Sequence, residues 1–174
     1  MLKNNQIILR AIEPNDIDFL FDLENDMKLW HITQTLVPFS RFDMEQYIIS
    51  VQKQDPFAAG QVRFVITLVE NDQPIGFVDL FNINPINQRA GIGIVIIEKF
   101  RGKNYGNYAI DLIEKYAFEI LNLHQLYCNV EENNLSSLRL FEKHGFTVVG
   151  LKKDWNKNNS GWIGEYMLQK IRSN

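Results

Sequence analysis

The order of hydrophobic and polar positions along the chain predicts a domain that mixes helices and strands. Apolar residues at helical spacing predict four helices, which follow Asp16, follow Ser40, and span 106–121 and 135–143. Shorter apolar runs predict strands at 7–10, 63–69, 75–81, 89–97, 126–130, 146–149 and 166–170. This order is typical of an α/β or α+β domain. The three central strands are joined by short turns, so we expect them to form an antiparallel sheet.

Polar residues at the predicted helix starts support these boundaries. Asp16, Ser40 and Asn134 each precede an apolar periodic segment, and their side chains can accept hydrogen bonds from the free N–H groups of a first turn. Gly145 follows the last helix and is a typical C-terminal stop. No repeat or linker divides the chain, so we expect a single domain over residues 1–174.

Composition and charge narrow the function classes. The net charge is −3 with 18 Lys+Arg against 21 Asp+Glu, so we expect neither a nucleic acid nor a membrane as partner. The single cysteine, Cys128, excludes an intrachain disulfide framework. His31, His124 and His144 lack ligand-like spacing, so no metal site is expected. The start of the chain lacks the apolar core of a secretory signal, and no apolar run is long enough to span a membrane, so we expect a cytoplasmic protein.

The segment that is most informative about chemistry is 95–107, VIIEKFRGKNYGN. It places a strand end, a basic loop with two glycines and a helix start in direct succession. A helix N-terminus offers free N–H groups and a partial positive charge, which suit a pyrophosphate. Spacing alone is equally consistent with a turn that merely needs glycine. The loop lacks the Gly-Lys-Ser/Thr ending of a P-loop and the G-x-G-x-x-G pattern, which disfavours kinases and dinucleotide enzymes.

Three segments together resemble the GNAT superfamily of acetyl-CoA-dependent N-acetyltransferases. Residues 101–106, RGKNYG, match the superfamily's pyrophosphate loop at its first and last positions, with Asn104 in place of the middle glycine. Asparagine tolerates left-handed backbone conformations, so we expect the loop to keep its shape. Residues 134–146 resemble the late helix signature. Residues 9–16 resemble the start of the branch that contains ribosomal-protein N-terminal acetyltransferases and spermidine/diamine acetyltransferases.

The resemblance implies a fold and a cofactor site. The fold is a central mixed, mostly antiparallel sheet of about seven strands, flanked by helices, in which the parallel strands 89–97 and 126–130 splay apart to admit acetyl-CoA, the co-substrate. The first of these strands would pair through its backbone with the pantetheine arm, and the basic loop would hold the pyrophosphate, where a bulky residue at Gly106 would crowd it. The implied cofactor-binding residues are Ile94, Val95, Ile96, Arg101, Gly102, Lys103, Asn104, Tyr105, Gly106, Asn107, Asn134, Ser137 and Lys143.

The implied reaction is direct attack of a neutral primary amine on the thioester. A base must deprotonate the ammonium, and Asp79 and Glu131, with Glu132 beside it, are the candidates; water-relayed deprotonation is an alternative. The backbone N–H of Val95 or Ile96 is a candidate donor to the oxyanion. Many family members carry a tyrosine as general acid where this chain has Phe141, which cannot donate a proton. Tyr105, Tyr108, Tyr127 and Ser136 are the other candidates for the acid.

The acceptor stays open at the level of sequence. A polyamine or diamine, another small-molecule amine and a protein or peptide N-terminus are all consistent with the resemblance. Gly91 stands where a spermidine enzyme is expected to carry a carboxylate, which weakens the polyamine assignment. Phe141 favours a second class, a non-catalytic module that senses acetyl-CoA. A homodimer is expected from the family.

Overall fold

The computed structural model describes residues 2–30, 35–51, 55–158 and 161–172 of the chain. The strands are β1 (Leu2–Lys3), β2 (Ile7–Arg10), β3 (Val62–Leu68), β4 (Pro74–Asn84), β5 (Arg89–Ile96), β6 (Gln125–Glu131), β7 (Thr147–Asn158) and β8 (Gly161–Ile171). The helices are α1 (Ile17–Glu24), α2 (Arg41–Val51), α3 (Pro56–Ala59), α4 (Tyr105–Lys115) and α5 (Leu135–Lys143). A π-helical turn at Tyr116–Ile120 continues α4.

The eight strands found among the described residues lie in one sheet, in the order β1-β2-β3-β4-β5-β6-β8-β7. Every neighbouring pair is antiparallel except β5 and β6, which run parallel. This is the mixed, mostly antiparallel sheet that the sequence predicts, and the fold expectation is confirmed. The count is eight rather than about seven because the two-residue strand β1 is too short to leave a hydrophobic pattern.

Alternating side chains of the sheet bury two apolar layers, one on each face. On one face, Val78 and Leu80 of β4 pack with Ile110 and Ile113 of α4 and with Phe141 of α5. On the other, Phe77 of β4 and Val65 of β3 pack with residues of α1 and α2. We call this second surface the acceptor face, because it carries the polar residues that surround the opening described below. Among the described residues, no helix is long and apolar enough to cross a membrane.

Two local predictions are confirmed only in part. Asp16 occupies the N-cap position of α1, as predicted, but its carboxylate makes no capping hydrogen bond; it instead accepts two hydrogen bonds from Arg10, at 2.6 and 2.7 Å. The last two strands are far longer than 146–149 and 166–170, since β7 and β8 form a hairpin of 12 and 11 residues. Most side chains of β7 are exposed, so the strand leaves no alternation of apolar and polar positions to detect.

Candidate active site

The sheet opens between its two parallel strands. Within the described residues, β5 and β6 pair at Arg89–Gln125, Ala90–Leu126 and Gly91–Tyr127, and at no later position, although β5 runs on to Ile96. The splay predicted from the resemblance is therefore present. Ile97 N–H donates to the carbonyl oxygen of Ile75 in β4, at 3.0 Å. Along a strand of an antiparallel pair, the backbone groups of alternate residues point to opposite sides. Those of Ile92, Ile94 and Ile96 therefore point away from β4, toward the opening.

This alternation separates the three predicted strand residues. Ile94 and Ile96 face the opening with their N–H groups, whereas the backbone of Val95 faces β4 and its side chain packs into the acceptor-face core. The carbonyl oxygen of Ile96 is already engaged, because Arg101 Nε donates to it at 2.8 Å. Arg101 thereby fastens the loop after β5 to the edge of the opening.

The loop after β5 turns sharply at two residues with left-handed backbone. Gly102 has φ +73° and Asn104 has φ +68°, so asparagine does keep the turn that the family builds with glycine. Helix α4 begins at Tyr105 without a side-chain cap, which leaves its first N–H groups available to a ligand. Lys99 and Lys103 both pack over the ring of Phe100, at 4.9 and 5.2 Å, and add positive charge beside this helix end.

Gly106 has a packing role that sequence reasoning missed. A Cβ at this position would lie 3.3 Å from Leu140 Cδ2 and 3.9 Å from Ile96 Cδ1, so glycine lets α4 approach α5 and β5 closely. A larger residue at position 106 would therefore press on Leu140 and Ile96 of the protein itself, in addition to crowding the pyrophosphate as expected from the sequence.

Helix α5 lies on the other side of the opening and starts at the predicted cap. Asn134 Oδ1 accepts from Ser137 N–H at 3.2 Å and from Ser136 Oγ at 3.0 Å, so the predicted N-cap is confirmed. Ser137 is half-buried in the first turn, and Lys143 is exposed at the end of the helix. These three residues thus share one helix that flanks the opening.

An ion-pair cluster on the acceptor face involves Asp79. Arg63 Nε and Nη2 donate to the two oxygens of Asp79, at 2.8 and 2.9 Å, and Arg63 Nη1 pairs with Glu24. Burial works to lower the pKa of the Arg63 guanidinium, but its contact with Asp79 outweighs this and raises the pKa. Both oxygens of Asp79 therefore accept hydrogen bonds from the guanidinium of Arg63, which stays charged.

Glu131 lies across the opening in a second polar cluster. Its Oε1 accepts from Asn156 Nδ2 at 3.3 Å, and the same amide donates to Glu165 Oε2 at 3.3 Å. Lys152 pairs with the other oxygen of Glu165 and reaches Asn129 Oδ1 at 3.3 Å. The neighbouring Glu132 instead accepts the N–H of Gly164 at 2.8 Å, which ties β6 to β8.

The remaining candidates from sequence fall in different places. Phe141 is buried against Phe146, with ring centroids 5.1 Å apart, and Cys128 is a buried core residue, as predicted. Tyr127 lies at the last position at which β6 pairs with β5, and its ring meets Phe81 edge-to-face. His31 lies outside the described residues.

Sequence reasoning missed the two clusters, apart from Asp79 and Glu131 themselves. Arg63, Lys152, Asn156 and Glu165 come from segments far apart in the chain, and only the fold brings them together with Asp79, Glu131 and the helix residue Glu24. A charged residue inside an otherwise apolar strand, such as Arg63 in β3, is the one signal that marks such a partner.

A sheet that opens between parallel strands, beside an uncapped helix end with three basic side chains, defines a protein that binds an elongated ligand carrying phosphate. A family model for an acetyltransferase (GNAT) domain matches residues 6–147. The chain therefore belongs to the GNAT acetyltransferases. It is an acetyl-CoA-dependent N-acetyltransferase, and acetyl transfer to an amine is its reaction.

Individual relatives agree with this assignment. A spermidine N(1)-acetyltransferase of Vibrio cholerae is 31% identical over 150 residues, 84% of this chain and 82% of that protein. The spermidine N(1)-acetyltransferase of Escherichia coli is 28% identical over 149 residues, 84% of this chain and 75% of that protein. A crystal structure of the Vibrio cholerae spermidine N-acetyltransferase in complex with CoA and spermine has a TM-score of 0.86 at 26% identity, covering 97% of this chain and 96% of the other. A dodecameric structure of the same enzyme has a TM-score of 0.80 at 27% identity, covering 97% and 95%.

Proposed function

We propose that this N-acetyltransferase acetylates a polyamine of the spermidine class, by direct attack of the neutral amine on the thioester, with Glu131 as base. The observation that carries the proposal is the charge of the acceptor face around the opening. Four carboxylates, Glu24, Asp79, Glu131 and Glu165, are joined there in two clusters with two cations, Arg63 and Lys152. A formal negative excess on that face attracts a polycation more than a peptide N-terminus with a single charge. The spermidine acetyltransferases among the relatives support the same class.

The residues of the opening fit acetyl-CoA, which supplies an acetyl group activated as a thioester. We assign the pantetheine arm to the strand edge at Ile94 and Ile96, and the pyrophosphate to the turn 101–107 and the first N–H groups of α4. Asn134, Ser137 and Lys143 flank the same opening on α5. Because Ile96 N–H faces the opening and Val95 N–H faces β4, Ile96 is the better oxyanion donor of the two that the sequence suggests.

Glu131 suits the role of base better than Asp79. A base must have a lone pair free to accept the proton of the ammonium. Arg63 occupies both oxygens of Asp79, whereas Glu131 accepts from a neutral amide and keeps its second oxygen clear of any protein donor among the described residues. Asp79 then holds Arg63 in place and adds negative charge to the face. The thiolate of CoA is a good leaving group, since a free thiol has a pKa of about 8.5, so the mechanism does without a tyrosine at position 141.

The proposal is tested by free-thiol release from acetyl-CoA with a panel of amines. The panel contains spermidine, spermine, diamines, aminoglycosides and short peptides with free N-termini, and CoA binding is measured in parallel by calorimetry. We expect kcat/KM for spermidine or spermine to exceed that for peptides by at least about 10-fold, which is the effect of about 1.4 kcal/mol in the transition state. Salt should weaken this preference, because charge attraction is screened.

Each other pattern of turnover contradicts a different part of the proposal. Turnover confined to peptides would make the protein an N-terminal acetyltransferase. Turnover confined to aminoglycosides or monoamines would assign another small-molecule acceptor. CoA binding without thiol release from any amine would favour the acetyl-CoA sensor.

We also propose that the chain self-associates, with a homodimer as the smallest assembly, and that it acts in the cytoplasm. Strand β7 forms an edge of the sheet and exposes Val148, Val149, Leu151 and Trp155, so a second copy has an unpaired edge to add to. The dodecameric structure of a relative supports association. Analytical ultracentrifugation over a range of concentrations tests it, and a monomer at micromolar concentrations would contradict it.

A further inference from the structure

Three side chains connect the turn after β5 to the end of α5. Asn107 Nδ2 donates to Asn104 Oδ1 at 2.6 Å, and His144 Nε2 lies 3.1 Å from Asn107 Oδ1. With the amide nitrogen of Asn107 donating to Asn104, the oxygen of Asn107 accepts from His144 in the tautomer, or the imidazolium, that carries a proton on Nε2. Asp111 Oδ1 lies 3.3 Å from the other ring nitrogen, and the imidazole is only 8% exposed. The buried imidazole of His144 is thus held in place, and Asn107 connects it to the side chain of Asn104.

Asn104 is the residue that needs such support. Its φ of +68° is a conformation that glycine adopts freely and that other residues adopt at a cost. The loop pattern that residues 101–106 resemble has glycine at this position. The Asn104 side chain does not cap α4 and is bonded to Asn107 instead. The left-handed backbone of Asn104 and the hydrogen bond from Asn107 to its side chain indicate that neighbouring side chains stabilise a turn that glycine would adopt without help.

We propose that Asn107 and His144 are positioning residues, which hold Asn104 in its left-handed turn and so keep the N–H groups at the start of α4 aimed at the pyrophosphate. The inference rests on the proposed function, since it concerns the same cofactor site. It assigns His144 no contact with acetyl-CoA. Its action passes through Asn107 to the backbone of Asn104, and it joins the two helices, α4 and α5, that flank the opening.

The geometry predicts which substitutions at His144 are tolerated. Glutamine can place an amide N–H close to the position of Nε2 and donate to Asn107, whereas leucine fills the space without a donor. We therefore expect His144→Gln to retain the affinity for CoA within about 2-fold. His144→Leu and Asn107→Ala should weaken it about 3- to 10-fold, the effect of losing one neutral hydrogen bond. Because the chemistry is remote, kcat should change less than KM for acetyl-CoA.

The decisive experiment repeats His144→Leu in an Asn104→Gly background. Glycine holds the left-handed turn by itself, so His144→Leu should then cost neither affinity for CoA nor thermal stability. The chain offers a matched control at the other end of the same helical segment. Asn122 is also left-handed, with φ +53°, and its Oδ1 accepts from Arg172 at 2.7 Å. Arg172→Ala removes the partner of that asparagine and should leave the CoA affinity unchanged.

The outcomes separate this inference from the proposed function. If the wild type binds CoA and His144→Leu weakens binding equally in both backgrounds, His144 does not act through the turn at Asn104 and the inference is wrong. Unchanged binding in Asn107→Ala and His144→Leu also overturns it, as does failure of His144→Gln to restore binding. If the wild type binds no CoA, the proposed function fails and the ligand part of the inference fails with it. The coupling of Asn107 and His144 to Asn104 is then judged by the thermal unfolding of the same variants.

Discussion

Phe81 lies across Gly91, its cross-strand partner, so that a Cβ built on Gly91 would fall 2.3 Å from Phe81 Cε2. The ring of Tyr127 meets Phe81 edge-to-face, with centroids 6.0 Å apart, and Tyr127 is paired with Gly91 on the other side. The aromatic pair therefore covers the vertex at which β5 and β6 separate. A side chain at position 91 and the ring at position 81 exclude each other. With Phe81 in place on the neighbouring strand, position 91 has no room for a carboxylate side chain.

This relationship predicts the stability of variants at the vertex. Gly91→Ala should lower the free energy of unfolding by about 1–3 kcal/mol, the usual effect of overpacking. In a Phe81→Ala background, Gly91→Ala should cost less than it does in the wild type, since the ring no longer occupies the space. Urea unfolding measures both. Gly93→Ala is the matched control, because a Cβ there lies 3.7 Å from the same ring, an ordinary contact, and should be tolerated.

Removal of the proposed base has a distinct kinetic effect. Glu131→Gln should lower kcat by about 10²- to 10⁴-fold, the range of general-base catalysis, and leave CoA binding unchanged. Glu132→Gln should retain kcat, because Glu132 accepts the N–H of Gly164 and an amide oxygen can do the same. Thiol-release kinetics compare the two. Equal kcat in both variants would indicate water-relayed deprotonation.

Arg63 is expected to matter for stability more than for chemistry. Arg63→Met leaves Asp79 and Glu24 without their common cation in a half-buried place, so we expect a loss of about 2–4 kcal/mol, somewhat below that for a fully buried pair. Combining Arg63→Met with Asp79→Asn removes one of the two uncompensated charges, leaving that of Glu24, and should restore part of the stability. Urea unfolding of the single and double variants decides this. A double variant as unstable as the sum of the two singles would show that the pair is not coupled.

His144 should make stability depend on pH. Burial lowers the pKa of the imidazole below its ordinary value of 6.5, and Lys170 and Lys143 lower it further against the opposing effect of Asp111. The folded state then binds the proton less readily than the unfolded state. The contribution to stability is therefore complete above about pH 6.5 and is lost as the pH falls below it. Urea unfolding at several pH values should show a steeper loss for the wild type than for His144→Gln.

Cys128 should be inert in the folded protein. Burial raises the pKa of its thiol to about 12, so hardly any thiolate forms at pH 8. An aromatic disulfide reagent should label the single cysteine only after unfolding, and Cys128→Ala should retain turnover. Rapid labelling of the native protein would show that β6 opens locally.

The sequence predicted those parts of the molecule whose burial leaves an apolar signal. Strands β3, β4 and β5 are covered on both faces and therefore carry nearly continuous apolar runs, and helix α5 carries apolar residues at helical spacing. The hairpin of β7 and β8 was predicted only in part, as strands 146–149 and 166–170, since exposed Val149 and Trp155 do not differ from their polar neighbours in burial. The left-handed turn at Asn104 was predictable from residue type. Its connection to His144, 40 positions later in the chain, required the fold.

The opening divides the sheet into two unequal parts. Strands β1 to β5 form one part and β6 to β8 the other, and three residue pairs at Arg89–Gly91 are the sheet contact between them among the described residues. A ligand that pairs with the edge of β5 would complete the sheet as a ninth strand. Acetyl-CoA would then act as a structural element of its own enzyme. Its departure after each turnover would leave the edge of β5 beyond Gly91 without that pairing, and amide exchange at Ile94 and Ile96 should be slower with the ligand bound than without it.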